Sequence, residues 1–244
     1  MGALDISLFG DYTAASRVEE RFAALDARAL LRLSIQDLYP GRIALVSSFG
    51  ADSAVLLHMV SKVDKGTPVV FVDTGYLFPE THAYRDELIG LLGLTNVQAV
   101  TPDAQDLATY DGESFLWSSD PDLCCEVRKV RPLGRAIEGY DAWITGRKRF
   151  QASTRAALPL FEAEGDRIKI NPLAGWDATK LLAYLDEHEL PRHRLVAKGY
   201  PSIGCIPCTS PVRPGEDARA GRWRGKNKTE CGIHMGVVSG GAGI

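Results

Sequence analysis

Arg42-Ile43-Ala44-Leu45-Val46-Ser47-Ser48-Phe49-Gly50-Ala51-Asp52-Ser53 is an apolar run that stops at small residues. A helical pattern follows at once over Ser53–Val63, so the stretch reads as a strand feeding a helix through a short loop. Small residues let the backbone approach an anion, and unpaired N–H groups at a helix start attract phosphate or sulfate. The loop is no Walker A motif, because no Gly-Lys-Ser/Thr follows, and it lacks GxGxxG. Taken alone, Ser47, Ser48, Phe49, Gly50, Asp52 and Ser53 read either as an anion loop or as an ordinary helix cap.

Outward from this unit the pattern repeats. A buried strand at 69–73 ends in Val72-Asp73-Thr74-Gly75, and a later one at 142–145 runs into Thr145-Gly146-Arg147-Lys148-Arg149-Phe150-Gln151. Ligands of open α/β sheets bind at such carboxyl edges. Asp73, Thr74, Gly75, Gly146 and Arg149 therefore join the nucleotide-binding candidates. Shorter strands are expected at Val97–Val100 and 168–170, and helices at 14–38, at Pro79–Leu92 behind its leading proline, and at 178–189. Residues 124–137 read as a helix in which Pro132 marks a break or restart. Strands alternating with helices predict an α/β fold, a parallel sheet covered on both faces.

The chain has 244 residues, a hydrophobic content of 45% and a net charge of −3, a soluble composition that disfavours a general polyanion binder. Asp5, Asp11, Glu19 and Glu20 interrupt any signal-like start, Ile6 stands where a myristoylation motif wants Ser or Thr, and the apolar stretches are too short to span a bilayer. A reducing, cytoplasmic setting is expected, with neither membrane nor nucleic acid as partner. The Gly-rich ending (Gly240, Gly241, Gly243) is expected to fray. Positive charge gathers in two stretches, seven Lys/Arg against three Asp/Glu over 126–149 and six against three over 212–230. Both flank cysteines, which favours a small anion held near sulfur.

There are five cysteines. Cys231, in Glu230-Cys231-Gly232-Ile233-His234, follows Arg222, Arg224, Lys226 and Lys228, and cations lower a thiol's pKa, so it reads as a reactive nucleophile. Cys124-Cys125 and Cys205-Ile206-Pro207-Cys208 form two close pairs, suited to an iron–sulfur cluster or a tetrahedral zinc. Adjacent side chains diverge, so the larger cluster accommodates Cys124 and Cys125 more easily than one ion does. Disulfides rank behind both. Pro201, Gly204, Pro207 and Pro211 put the second pair in an irregular loop rather than a redox-active helix start.

In order along the chain stand Ser-Phe-Gly-Ala-Asp-Ser at 48–53, Cys-Cys-x-x-Arg-Lys-Val-x-Pro-Leu at 124–133, and Asn-Pro-Leu at 171–173. Gly-Tyr-Pro-Ser-Ile-Gly-Cys-x-Pro-Cys-Thr at 199–209, Arg-x-Gly-Arg-Trp at 219–223 and Glu-Cys-Gly-Ile-His at 230–234 follow. Together these motifs resemble the phosphoadenylylsulfate/adenylylsulfate reductase family of the adenine-nucleotide α-hydrolase-like (PP-loop) superfamily, in its assimilatory adenylylsulfate branch. The resemblance implies a [4Fe–4S] cluster on Cys124, Cys125, Cys205 and Cys208. It also implies attack of Cys231 on adenosine 5′-phosphosulfate (APS), release of AMP, and reduction of the S-sulfocysteine by thioredoxin or a similar dithiol protein. The 3′-phosphorylated substrate (PAPS) is the alternative. Lys129, Arg219, Arg222 and His234 are the expected supporting residues, offsetting repulsion between thiolate and sulfate. Lys148 and Ala152 depart from the family's Thr-Gly-x-Arg-Arg-x-Gln-Ser pattern, and lysine lacks arginine's bidentate fork. The expected organisation is an N-terminal helical segment (1–40), a nucleotide- and cluster-binding domain (41–211) and a flexible C-terminal tail (212–244) carrying Cys231. A homo-oligomer is allowed on family grounds alone.

Two rival readings remain. An adenylating PP-loop enzyme acting on RNA would favour Ser-Gly-Gly-x-Asp-Ser and an added RNA-binding domain. A metal sensor built on the four paired cysteines would leave the nucleotide loops without purpose.

Overall fold

The computed structural model describes Phe22, residues 24–226 and residues 228–234. The N-terminal part of the helix expected from residue 14, most of the 1–40 segment and the Gly-rich ending lie outside these residues. Helix α1 (Ala27–Arg32) opens under Asp26, whose carboxylate accepts from the Ala29 N–H at 2.8 Å, and continues as a wide π turn over Leu33–Leu38. Strand β1 (Ile43–Val46), α2 (Ser53–Val63), β2 (Val69–Val72), α3 (Pro79–Leu92) and β3 (Val97–Val100) follow. Helices α4 (Ala104–Tyr110), α5 (Leu116–Ser119), α6 (Pro121–Cys125) and α7 (Arg131–Ala136) precede β4 (Ala142–Ile144). The hairpin β5 (Phe161–Glu164) and β6 (Arg167–Ile170) leads to α8 (Ala178–Glu187).

The six strands order as β3-β2-β1-β4-β6-β5. The first five in that order run parallel; β1, β2 and β4 are buried along most of their length and read as continuous apolar runs, whereas β3 at the edge has no buried residue and β6 reads Arg-Ile-Lys-Ile. The chain adds β2 and β3 on one side of β1, then returns with β4 on the other. That reversal opens a crevice at the carboxyl ends of β1 and β4. The larger core packs α1, α2, α3 and α8 on one face of the sheet. A smaller cluster of Ala44, Val70, Leu133, Ile137 and Trp143 covers the other, and Ile233 packs into it.

The wholly parallel expectation needs one correction, since β5 pairs antiparallel with β6 at the edge. Gly165, at φ +59°, makes the tight reversal that a side chain would strain. The second correction concerns 124–137. Helices α6 and α7 form one rod, joined by a π turn over Glu126–Val130. Pro132 cannot donate an i→i−4 bond, and the wide turn just before it absorbs the mismatch without a break. Among the described residues no helix is long and apolar enough to cross a membrane.

Candidate active site

An open cleft of about 490 Å³ lies along the β1 and β4 ends. From β1 it takes Ser47, Ser48, Gly50, Asp52 and Ser53, from β2 Thr74, and from β4 Thr145, Gly146, Arg147 and Lys148. No side chain caps α2; the Ser53 and Val55 N–H groups donate to the Gly50 and Asp52 carbonyls at 3.1 and 3.4 Å, and the positive end of the helix faces the cleft. The Asp52 carboxylate instead accepts from Lys148 Nζ and, at 3.2 Å, from Gln151 Nε2. Lys148, the departure from the family pattern, is thus engaged with the loop.

Phe49, Asp73, Gly75 and Arg149 do not line the cleft, against expectation. Phe49 is fully buried, edge-on to Phe71 at 5.4 Å, with φ +46°. It shapes the loop from beneath, and its own N–H donates to Ser47 Oγ at 3.2 Å. Asp73 accepts from the Gly75 N–H at 3.0 Å, a local turn at the strand end. Arg149 turns outward and its Nε donates to the Leu158 carbonyl at 2.8 Å. Arg147, Lys148 and Arg155 line the cleft in place of Arg149, each paired with a carboxylate, Glu162, Asp52 and Glu230 respectively.

The opposite wall carries sulfur. The Leu77–Cys205 and Thr209–Arg222 bridges stitch the Cys205–Cys208 loop between the β2 exit and the C-terminal segment. Gly204 and Gly221 permit this closeness. A Cβ at Gly204 would meet Arg222 Nη2 at 2.3 Å, and one at Gly221 would meet the Ser210 carbonyl oxygen at 2.0 Å. Arg222 consequently lies against the loop, its Nη1 3.3 Å from the Ile203 carbonyl and its Nε without a hydrogen-bond partner.

Cys231 lines the cleft immediately before a 3-10 turn over Gly232–His234. The Cys125 thiol donates to its sulfur, holding Cys231 well below the ordinary thiol range. Burial opposes this, while Lys129, the Ile233 N–H and Arg222 reinforce it. Cys125 correspondingly keeps its proton. For Lys129 burial favours the neutral amine, but Cys205, Cys231 and Cys125 outweigh it and the ammonium persists. His234 departs from expectation. Burial first, then Arg147, Arg155, Lys169 and Arg219, hold its pKa well below the usual value, so it is neutral rather than a cation. Its ring stacks on Trp143 at 6.2 Å, and its Nδ1 has no hydrogen-bond partner. Arg219 donates to the Thr229 carbonyl at 2.9 Å.

Cys124, Cys125, Cys205 and Cys208 are all buried free thiols. Burial pushes Cys124 up to about 11 and raises Cys208, so neither thiolate is stable there without added positive charge. The donor chemistry fits a metal centre: two pairs of soft ligands from facing segments, in a dry wall. Among the described residues no three such side chains stand close enough to share an ion in this arrangement. Cys125 is turned toward Cys231, and a thiol that ligates metal gives up the proton used in that contact.

Several site residues were not singled out in the sequence, although Arg128, Gln151 and Glu230 stand in the motifs that carry the family resemblance. Arg128, beside Lys129, turns the other way: its Nε and Nη2 donate to Asp111 at 2.8 and 2.6 Å, and its Nη1 to the Thr74 carbonyl at 2.9 Å. Asp111, Gln151, Arg155, Glu230 and Trp143 become functional only through the partners that folding brings them. Gln151 closes the basic loop after β4, and Arg155 lies four residues beyond it, outside all of these motifs.

Residues 42–211 match the family model described as phosphoadenosine phosphosulfate reductase domain. The chain is 53% identical over 221 residues to an adenosine 5'-phosphosulfate reductase of Mesorhizobium japonicum, covering 91% of this chain and 87% of that one. A Chelativorans protein of the same name is 54% identical over 222 residues, 91% of each chain. A phosphoadenosine 5'-phosphosulfate reductase of Gloeobacter violaceus is 40% identical over 231 residues, covering 92% and 95%. Among solved structures, phosphoadenylyl-sulfate reductase from Candida auris superimposes with a TM-score of 0.70 at 30% identity, over 83% of this chain and 98% of that one.

Proposed function

The chain belongs to the phosphoadenosine phosphosulfate reductase family, and from that premise we propose that it reduces APS to sulfite and AMP. One observation carries the reading: Cys231 lies in the cleft that the β1 loop, Lys129 and Arg222 also line.

The Cys231 thiolate attacks the sulfate sulfur, the bond from sulfur to the phosphate oxygen breaks, and AMP leaves with the electron pair. Positive charge from Lys129, Arg219 and Arg222 offsets the repulsion between thiolate and sulfate and stabilises the equatorial oxygens. Neutral His234 serves as a hydrogen-bond donor rather than a charge. A thiolate of thioredoxin or a similar dithiol protein then attacks the Cys231 sulfur. Sulfite departs with the S–S electron pair, and the second thiol of the dithiol resolves the mixed disulfide. Sulfur gains two electrons and the dithiol loses two, so no other carrier is required.

A [4Fe–4S] cluster would be held by Cys124, Cys125, Cys205 and Cys208, and when bound it supplies a fixed electrostatic wall beside Lys129. Iron and sulfide in fourfold ratio to anaerobically purified protein support that assignment, and one zinc per chain overturns it. The C-terminal segment that carries Cys231 closes over the nucleotide and reopens for the dithiol, because both partners need the same sulfur. The reaction belongs to assimilatory sulfate reduction in the cytoplasm.

Intact mass after incubation with APS and no thiol tests the reading, with a sulfonate adduct on Cys231 as the expected result. Adduct with PAPS alone transfers the chemistry to the 3′-phosphorylated substrate, the reading favoured by the Gloeobacter relative's name. Adduct with neither nucleotide sinks the proposal.

A further inference from the structure

Asp52 in the β1 loop and Cys231 in the C-terminal segment are 179 residues apart in sequence (231 − 52), yet one file of side chains joins them. Gln151 Nε2 donates to Asp52 at 3.2 Å, and Gln151 Oε1 accepts from Arg155 Nη1 at 2.7 Å. Arg155 then grips Glu230, the residue before Cys231, through Nε and Nη2, both at 2.7 Å. Thr154 Oγ1 adds a contact to the same carboxylate at 3.2 Å. Arg155 and Glu230 side chains are only 10% and 11% exposed, so the pair is poorly screened by solvent. Gln151 Oε1 also accepts from the Lys148 N–H at 3.2 Å, which fixes the amide's orientation.

We propose that Gln151 and Arg155 are positioning residues that tie the anion loop to the nucleophile segment, so that filling the nucleotide site tightens the segment carrying Cys231. The inference rests on the nucleotide reading of the cleft. Geometry favours Arg155 over Arg219 as the holder of Glu230. Arg155 makes a two-pronged grip at 2.7 Å, while Arg219 reaches the same carboxylate at 3.4 Å. Arg219 therefore keeps donors for an incoming anion, and a bidentate arginine–carboxylate pair fixes direction as well as distance. On the far side of Cys231, Ile233 packs into the smaller core and His234 stacks on Trp143. With that side anchored in the core, the Glu230 side is where a hydrogen-bonded tie decides between closed and open. Gln151 is the link in the file with both a donor and an acceptor on one rigid amide, so it passes a displacement of Asp52 on to Arg155.

Hydrogen exchange of the full chain, followed by mass spectrometry at residues 229–234, tests the tie. In the wild type, saturating AMP is expected to slow exchange there about tenfold. In Gln151→Met, with AMP binding verified by calorimetry, that slowing disappears. In Arg155→Met, exchange is fast with or without AMP, Cys231 sulfonation by APS slows about tenfold, and Arg155→Lys restores part of both. Glu230→Gln, nearly isosteric, gives the same loosening should Arg155→Met fold poorly. An undiminished AMP effect in Gln151→Met, or 229–234 exchange unchanged in both Arg155→Met and Glu230→Gln, overturns the inference. Normal sulfonation despite faster exchange overturns it as well. Should AMP not bind the wild type, the nucleotide reading fails and the coupling with it. The AMP-free variants would then still report whether Arg155 holds the segment.

Discussion

Lys129 and Arg128 are sequence neighbours with opposite duties. The π turn sends Lys129 into the cleft among the thiols and Arg128 to Asp111 and Thr74. Lys129→Met is expected to slow Cys231 sulfonation about 10²–10³-fold, in line with removing one preorganised donor to a charged transition state, while leaving unfolding unchanged. Arg128→Met should do the reverse. It strands a buried Asp111 carboxylate and costs about 3–5 kcal/mol in denaturant unfolding, with near-normal sulfonation in the fraction that folds. Equal rate losses in the two variants would refute this division. Cys231→Ser should give no adduct at all in intact mass.

Two buried histidines make stability sensitive to acid. Burial lowers His193 and His58 to about 4, against an ordinary 6.5, with nearby charges adding to the effect at His58. His193 Nδ1 accepts from the Leu195 N–H at 3.2 Å, a bond that a protonated ring cannot make. Between pH 6.5 and 4 the unfolded chain binds these protons and the folded chain does not. Stability from both groups is therefore complete above pH 6.5 and is lost as pH falls toward 4. The melting temperature should drop across that window, and His193→Gln should flatten its share of the slope. An unchanged slope would show that the ring is not held neutral.

At the scale of elements, the two crowded glycines separate support from chemistry. Gly221→Ala drives a Cβ into the Ser210 carbonyl, which is backbone and cannot swing aside, so a loss of about 1–3 kcal/mol in unfolding free energy is expected. Gly204→Ala meets only the Arg222 guanidinium, the far end of a flexible side chain. It should displace that cation and slow sulfonation about tenfold at little cost in melting temperature. Comparable destabilisation by both substitutions would contradict the distinction. The elements themselves were unevenly legible. Helices α2 and α3 and strands β1, β2 and β4 announce themselves through apolar runs and a leading proline. Strand β5 and helices α4 and α5 do not, because Phe-Glu-Ala-Glu at 161–164 alternates over too few residues and no residue of α4 is buried.

For the whole molecule, the order of the strands decides where chemistry can occur. Reversal beside β1 puts the β1 and β4 loops on one crevice, and the C-terminal segment returns across it. The chemical inventory is written along the chain: five thiols, two basic stretches, a small-residue loop after a strand, and the ordered motifs of a reductase family. These are local or compositional properties, readable because reactivity and backbone preference belong to residue types. Folding alone turns Arg149 away while Arg155 grips Glu230, keeps His234 neutral, and brings Cys125 to Cys231. Charge state, direction and partnership arise from burial and from groups distant in the chain, and no local pattern encodes which of several cations will be brought to one carboxylate.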